Sequence, residues 1–549
     1  MDVIGGLRAC HKCDDAPTML SPPTENSPGS TAKLPRLAVL GFDAMDATLV
    51  RRWAAAGRLP TFARLLDTCA WTQFDLPPDH SSGMVWPSIN TGLAPADHNA
   101  YFGTRLVEGT YTLRPRCQAD LRGTPFWREL AARGRRLVLM DVPFSQIDAD
   151  CGGLQIVGWG QHEKLGKRAC WPPRLLTQIE RDFGRYPVIP SVEDTWARGG
   201  PDELVDALLL GIERRTRILH HLANASAWDF FYGVFHEAHG AGHHLWHLSD
   251  ATHPCFNTKA HARRGDPLLR VYRALDSALH SLAERLGEDS TLAIIFSHGM
   301  GPNYNGDHLF PELLARFNRA RGGVAPGIGP SSRVNRAWAS TIGRLPLTAR
   351  HDMRRLLPQQ VRRWLSNKRQ QHPRLWRNEF AFALPGLDGF SAVRVNLAGR
   401  EPGGIISAGQ EYDSYVDALQ DEIESWTVGQ TGRPAVARIH RAARGAQAMR
   451  IGVAPDLMLW WNKAGPIEEI RSCALGIVRG VSDAERSGEH VMHSFVMLRR
   501  LDQPGAPHSL SGMGIRDIAP TLLLLATTGK PDPQNYSQND PTNDHAFGA

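Results

Sequence analysis

Cysteine is sparse in this chain. Eight residues among 549, at positions 10, 13, 69, 117, 151, 170, 255 and 473, are too widely spread to form a disulfide framework. Cys10-His-Lys-Cys13 is a CxxC that no second CxxC answers, so it reads as incidental. A basic patch followed by an apolar segment is missing from the N-terminus, and with it any secretory signal. Long apolar runs are also lacking: Ile518–Ala526 is far too short to cross a bilayer. These absences lead to the expectation of a cytoplasmic, reducing setting. Nor is there much charge imbalance. A formal charge of +6 is small for this length and argues only weakly for anionic ligands. Neither a membrane nor a nucleic acid is expected as partner.

What remains is ordinary for a globular protein, 42% apolar and 21% charged, and long enough for one large domain with an insertion or for two domains. Histidine is the exception, with 23 residues that cluster. The densest stretch is Trp228–Asp250. Its apolar run, Phe230 to Phe235, predicts a buried parallel strand. His236, Glu237, His239, His243, His244 and His247 follow. If the chain turns helical after the strand, His239 and His243 stand at i and i+4 on one face, flanked by His236 and His247. Two neutral imidazoles placed that way can share a divalent ion. A surface helix that happens to be rich in histidine is the competing reading.

Order is expected to begin at Leu34, after a leader over residues 1–33 rich in Pro, Ser, Thr and Gly. Arg36–Gly41 predicts a strand with Asp43 and Asp46 beyond its C-terminal end, placed either for a metal or substrate or to cap a helix over Leu49–Ala56. Ser81-Ser82-Gly83 is a small polar turn, and Pro87 to Gly92 reads as a helix start with a Gly stop. A serine at a helix N-terminus suits a nucleophile attacking an anion, and equally suits a simple cap. Strands are predicted over Arg136–Val142, Gln155–Gly158 and Thr291–Phe296, and helices over Phe126–Arg133, Leu204–Ala223 and Tyr272–Leu286. Strands alternating with helices, each strand ending in polar or metal-binding residues, indicate an α/β fold with a mostly parallel sheet and one active edge.

The pattern breaks over residues 318–390, which are rich in arginine (Arg344, Arg350, Arg354, Arg355, Arg362, Arg363) with interleaved Trp338, Trp364 and Trp376. This predicts a helical insertion whose cations are solvated or rim an anionic-substrate cleft; a phosphate-binding or nucleic-acid surface is the other reading. Residues 34–317 and 391–530 are then two parts of one α/β core. Within the second part Val393–Leu397, Ala454–Leu459 and Phe495–Leu498 read as strands, and Tyr415–Thr427 and Asp517–Ala526 as helices. Residues 531–549 form a polar tail.

Several motifs occur together: Gly41-Phe42-Asp43, Trp86-Pro87-Ser88 through Thr91-Gly92 with Pro95 and His98, and Ser297-His298-Gly299-Met300-Gly301. Further on come Asn396 to Pro402, Ala454-Pro455-Asp456-Leu457, Gly488-Glu489-His490 and Asp517-Ile518-Ala519-Pro520-Thr521. In this order, over roughly residues 35–530, they resemble the alkaline phosphatase superfamily, in its type I phosphodiesterase/nucleotide pyrophosphatase branch. The resemblance implies a mostly parallel central sheet flanked by helices. At its C-terminal edge it implies two divalent metal ions, usually zinc, with a serine nucleophile between them. By the same resemblance Ser82 matches the nucleophile, and Asp43, His243, His298 and His490 match metal ligands. His239 stands where the family has an aspartate, and Ser297 stands where it has the aspartate of Asp-His-Gly. His239 can still coordinate through nitrogen. Asp46, Asp307 or His308 would have to complete the second metal position around Asp43 and His298. The implied activity is metal-dependent hydrolysis of a small anionic phosphate ester or nucleotide-like substrate through a covalent phospho-serine. The alternatives are a non-catalytic relative that binds an anionic partner, and a phosphonate or sulfate-ester hydrolase.

Overall fold

The computed structural model describes residues 35–530 apart from 102, 161–166, 189–190, 288–289, 324–372, 385–388, 430, 481–485 and 500–509. Most of the Arg-rich segment, the leader and the tail therefore lie outside the described residues.

The apolar runs become strands and the amphipathic stretches become helices. The strands that matter here are β1 (Arg36–Phe42), β2 (Ala70–Asp75), β3 (Leu137–Met140), β4 (Leu154–Val157), β5 (Ala169–Trp171), β6 (Phe230–Phe235), β7 (Ser290–Phe296), β8 (Gly299–Pro302), β9 (Ala381–Leu384), β10 (Phe390–Val395), β11 (Val436–Arg441), β12 (Leu457–Trp461), β13 (Gly488–Val491) and β14 (His493–Arg499). One sheet runs β2-β14-β7-β1-β6-β3-β4-β5. Its centre, β7 to β4, is parallel, and the outer pairings through β14 and β5 are antiparallel. The fold is thus the mostly parallel, helix-flanked α/β sheet that the alternation of strands and helices predicts.

The two faces of this sheet are filled by alternate residues of the same strands. Ala38, Leu40 and Phe42 belong to one buried cluster and Leu37 and Val39 to the other. Period-two side chains on a strand covered from both sides give this pattern. Helices Val192–Ala225, Glu237–Ser249 and Pro267–Gly287 cover the first face. Helices Ser82–Thr91, Trp127–Ala132 and Ile518–Thr528 cover the second. Among the described residues no helix is long and apolar enough to cross a membrane.

One helix start departs from the sequence prediction. The helix begins at Ser82, with Pro87 inside it, and stops at Gly92 in the left-handed region (φ 73°). Pro87 forgoes one backbone hydrogen bond, but its helix is packed hard against the sheet, so packing outweighs that loss. The indole of Trp86 lies where a Cβ on Gly41 would come within 2.8 Å of it. The glycine in β1 thus lets a tryptophan reach the strand's end.

A second sheet, β9-β10-β12-β11, is antiparallel and packs on helix Gln410–Glu424. Two of the motifs of the second half meet here in a buried lock. Arg400 donates to both oxygens of Asp456, at 2.9 and 2.7 Å, and to Glu401. These residues brace the sheet.

Candidate active site

Strand register builds the site. Phe42 of β1 pairs in register with Phe235 of β6 on one side and Phe296 of β7 on the other. The next residues, Asp43, His236 and Ser297, therefore leave three adjacent strands at one level, where open α/β sheets place their ligands. The three phenylalanine rings form a buried aromatic floor, Phe42 stacking on Phe235 at 5.4 Å and meeting Phe296 edge-on at 5.7 Å.

After β6 the chain turns directly into helix Glu237–Ser249, so His239 and His243 share a face as their spacing predicts. His490 arrives from β13, which pairs with β8 so that His490 lies opposite Met300. The three imidazoles converge: His239 Nε2 is 3.0 Å from His243 Nε2 and 2.8 Å from His490 Nε2. Their other nitrogens point outward. His243 Nδ1 donates to the carbonyl of Gly488 at 2.8 Å, and His239 Nδ1 stands 3.0 Å from Asp43 Oδ2. His490 Nδ1 lies 3.4 Å from Glu489 Oε1.

A proton on each outer nitrogen leaves three Nε2 lone pairs facing one another, a repulsive arrangement that a divalent cation relieves. The set is nitrogen-only, buried and backed by acceptors, and it fits one ion of the zinc type, whose bonds to imidazole are about 2.0–2.1 Å. Burial pushes His243 and His490 well below the ordinary imidazole value, helped by Arg486 and His239 at His243 and by His298 at His490. Both rings are thereby kept neutral, as coordination requires.

Asp43 is more crowded. Its Oδ1 accepts from Trp86 Nε1 at 2.7 Å and from Ser297 Oγ at 3.1 Å. Its Oδ2 faces His239 and, at 3.4 Å, His236 Nδ1. Burial alone would raise this carboxyl, yet the charge and hydrogen bonds of His239 and His236 hold it well below the usual carboxylate range. His298 Nε2 is 4.0 Å from Asp43 Oδ1, and its ring centroid is 4.3 Å from that of His490. Asp46 is drawn elsewhere: it caps the helix Ala47–Ala55 through Leu49 N–H and bonds His493. His247, one turn beyond His243, contacts Ser487, and His244 lies against Trp196 with the rings tilted by 34°. Asp307 is half exposed and lies 3.8 Å from His308, whose nitrogens are buried without a hydrogen-bond partner.

Ser82 is the first residue of its helix and only 8% exposed, one turn before Trp86, whose indole reaches Asp43. Ser81 is the N-cap; its hydroxyl is buried without a hydrogen-bond partner. Asp79 and His80, just before this helix, and Ser88 within it form a chain of contacts at 2.7 and 3.0 Å that has the form of a catalytic triad. Ser88 is fully buried, donates to Leu93 O and also contacts His98, so no substrate can reach it. This is a brace.

Sequence reasoning passed over the support behind His236. Its Nε2 donates to the carbonyl of Asp141, and its backbone N–H donates to Glu237. Asp141 and Glu237 share Arg215, and all three are fully buried. An acid directly after an apolar strand, the pattern that singles out Asp43, also marks Asp141.

Residues 37–383 match the model of the type I phosphodiesterase / nucleotide pyrophosphatase family, and the chain belongs to that family. Its members hydrolyse phosphoesters and typically use divalent metals. No curated protein matches the chain in sequence. Among solved structures, it is similar to phosphonoacetate hydrolase from Sinorhizobium meliloti 1021 in complex with phosphonoformate. That match covers 90% of this chain and 96% of the other, at 13% identity and a TM-score of 0.46. Human ectonucleotide pyrophosphatase / phosphodiesterase 5 is similar over 92% of this chain and 99% of its own, at 11% identity and a TM-score of 0.44.

Proposed function

We propose that this chain hydrolyses small anionic phosphate esters, with Ser82 as nucleophile and a zinc-type ion on His239, His243 and His490. The observation that carries this reading is the convergence of three Nε2 atoms whose partner nitrogens each face an acceptor. A divalent ion bound there supplies Lewis-acid stabilisation of phosphoryl oxygens and eases deprotonation of a hydroxyl.

The chain's own residues do the rest. Free backbone N–H groups of the first turn and the positive end of its dipole favour an anion beside Ser82. Attack of Ser82 Oγ on phosphorus breaks the phosphorus–ester oxygen bond, and the departing alcohol takes up the proton the serine loses. Water then cleaves the phosphoryl-Ser82 ester and restores the hydroxyl, releasing phosphate from a monoester or a phosphate monoester from a diester. His298 stands beside His490, the ring centroids 4.3 Å apart.

Nitrophenyl phosphate mono- and diesters test this directly. Turnover is expected to fall by several orders of magnitude in Ser82→Ala, and acid-quenched wild-type protein should carry a phosphoryl group on the peptide containing Ser82. Loss of activity in Ser81→Ala but not in Ser82→Ala would move the nucleophile by one residue. The absence at position 297 of a carboxylate beside His298 favours a second reading, a non-catalytic anion binder. That reading predicts phosphate binding without turnover in the metal-loaded protein.

A further inference from the structure

From the contacts of Asp43 we infer that this site holds one metal ion, and that Asp43 acts as a positioning residue for His239 rather than as a ligand of a second ion. The inference rests on the reading that His239, His243 and His490 bind a metal. A carboxylate oxygen has two in-plane lone pairs. Both on Asp43 Oδ1 are engaged, by the Trp86 indole at 2.7 Å and the Ser297 hydroxyl at 3.1 Å. Oδ2 faces His239 Nδ1 at 3.0 Å and His236 Nδ1 at 3.4 Å. A second ion would have to displace the two donors on Oδ1 or come between Oδ2 and His239.

The other donors around that position are no better suited. Ser297 already gives its proton to Asp43 and accepts from the N–H of Ala44 at 3.2 Å. A neutral hydroxyl so engaged is a poor replacement for a carboxylate. Asp46 accepts from Leu49 N at 2.7 Å, from His493 Nε2 at 3.0 Å and from Met300 N at 3.3 Å. Two divalent ions would also bring four positive charges into a buried site with few carboxylates. Charge left uncompensated at that depth disfavours binding of a second ion.

What Asp43 does instead follows from where it sits. Asp43 Oδ2, 3.0 Å from Nδ1 of His239, favours the tautomer with the proton on Nδ1 and so turns Nε2 into the metal-facing lone pair. The carboxylate thus acts on the metal through an imidazole.

Elemental analysis of the full chain, loaded with zinc or cobalt(II) and desalted, decides the count. One ion per chain is expected. In Asp43→Asn the count should stay at one, with affinity about 10–100-fold weaker in competition with a chromophoric chelator. The melting temperature of the metal-free protein should be little changed, and the cobalt(II) visible spectrum should shift. Two ions in the wild-type chain would overturn this inference alone, whether or not Asp43→Asn folds. Unchanged affinity and spectrum in Asp43→Asn would overturn the positioning role. No ion at all in the wild-type chain would overturn the three-imidazole reading, and this inference with it.

Discussion

Arg215 donates to Asp141 at 2.8 Å, and neither side chain is exposed. The same guanidinium reaches Glu237 at 3.1 Å and the carbonyl of Gly160 at 3.1 Å. The two acids then hold His236, through the carbonyl of Asp141 and the carboxylate of Glu237. One arginine on a covering helix therefore fixes the first residue beyond β6.

Removing that arginine leaves two buried carboxylates without their cation. Arg215→Met should cost about 3–5 kcal/mol of stability, the range for breaking a buried pair from one side. Arg215→Lys should not restore it, since a point charge cannot meet three partners set out for a planar fork. Denaturant midpoints of the three proteins check this. A loss under about 1 kcal/mol would mean that the network is replaceable packing.

His98 gives the fold an acid-sensitive element away from the histidine trio. Burial, with His80 and Arg116 nearby, lowers its pKa from 6.5 to about 3, against the opposing pull of Asp79. Its Nδ1 accepts from Ala100 N–H and its Nε2 faces Ser88, contacts that suit the neutral ring. Between about 6.5 and 3 the unfolded chain binds a proton here that the folded chain refuses. This contribution is therefore fully present above about 6.5 and shrinks as pH falls through that window. By pH 4.5 the loss amounts to about 2–3 kcal/mol. His98→Gln, which keeps a donor but cannot ionise, should show a shallower loss of stability between pH 6.5 and pH 4.5 in paired denaturation curves. Equal slopes would assign the acid sensitivity elsewhere.

Much of this architecture is legible in the sequence because its signals are local. The apolar run Phe230–Phe235, set between Asp229 and His236, predicts the strand with its observed bounds. The i, i+4 pair His239 and His243 needed only a helix after that strand. The level ends of β1, β6 and β7 were not legible, since register between strands about 190 and 250 residues apart is set by the whole sheet. For the same reason nothing near Trp86 announces that its indole ends on Asp43, 43 residues earlier. Proline favours the first turn, so the sequence predicts a helix start at Pro87. The observed start at Ser82 needs the packing of Trp86 against Gly41. Arg215 looks in sequence like one more cation on an amphipathic helix, and only the fold shows that it points inward.

Gly488 joins stability to the histidine trio. Its carbonyl accepts from His243 Nδ1, and a Cβ on it would come within 2.1 Å of the backbone oxygen of Gly242. Backbone cannot yield as a side chain can, so Gly488→Ala must move β13 away from helix Glu237–Ser249. That movement carries His490 away from His239 and breaks the bond that orients His243. A stability loss of about 1–3 kcal/mol is expected, the usual cost of overpacking. Zinc affinity, measured by chelator competition, should fall by at least the roughly 10-fold typical of a lost partner behind a ligand. Gly242→Ala is the control. Its Cβ would press on Met300, a flexible side chain, at 2.6 Å, and alanine is the better helix former. This variant should keep its metal affinity. If Gly488→Ala binds zinc as tightly as wild type, the contact between β13 and the helix does not set the spacing of the three imidazoles.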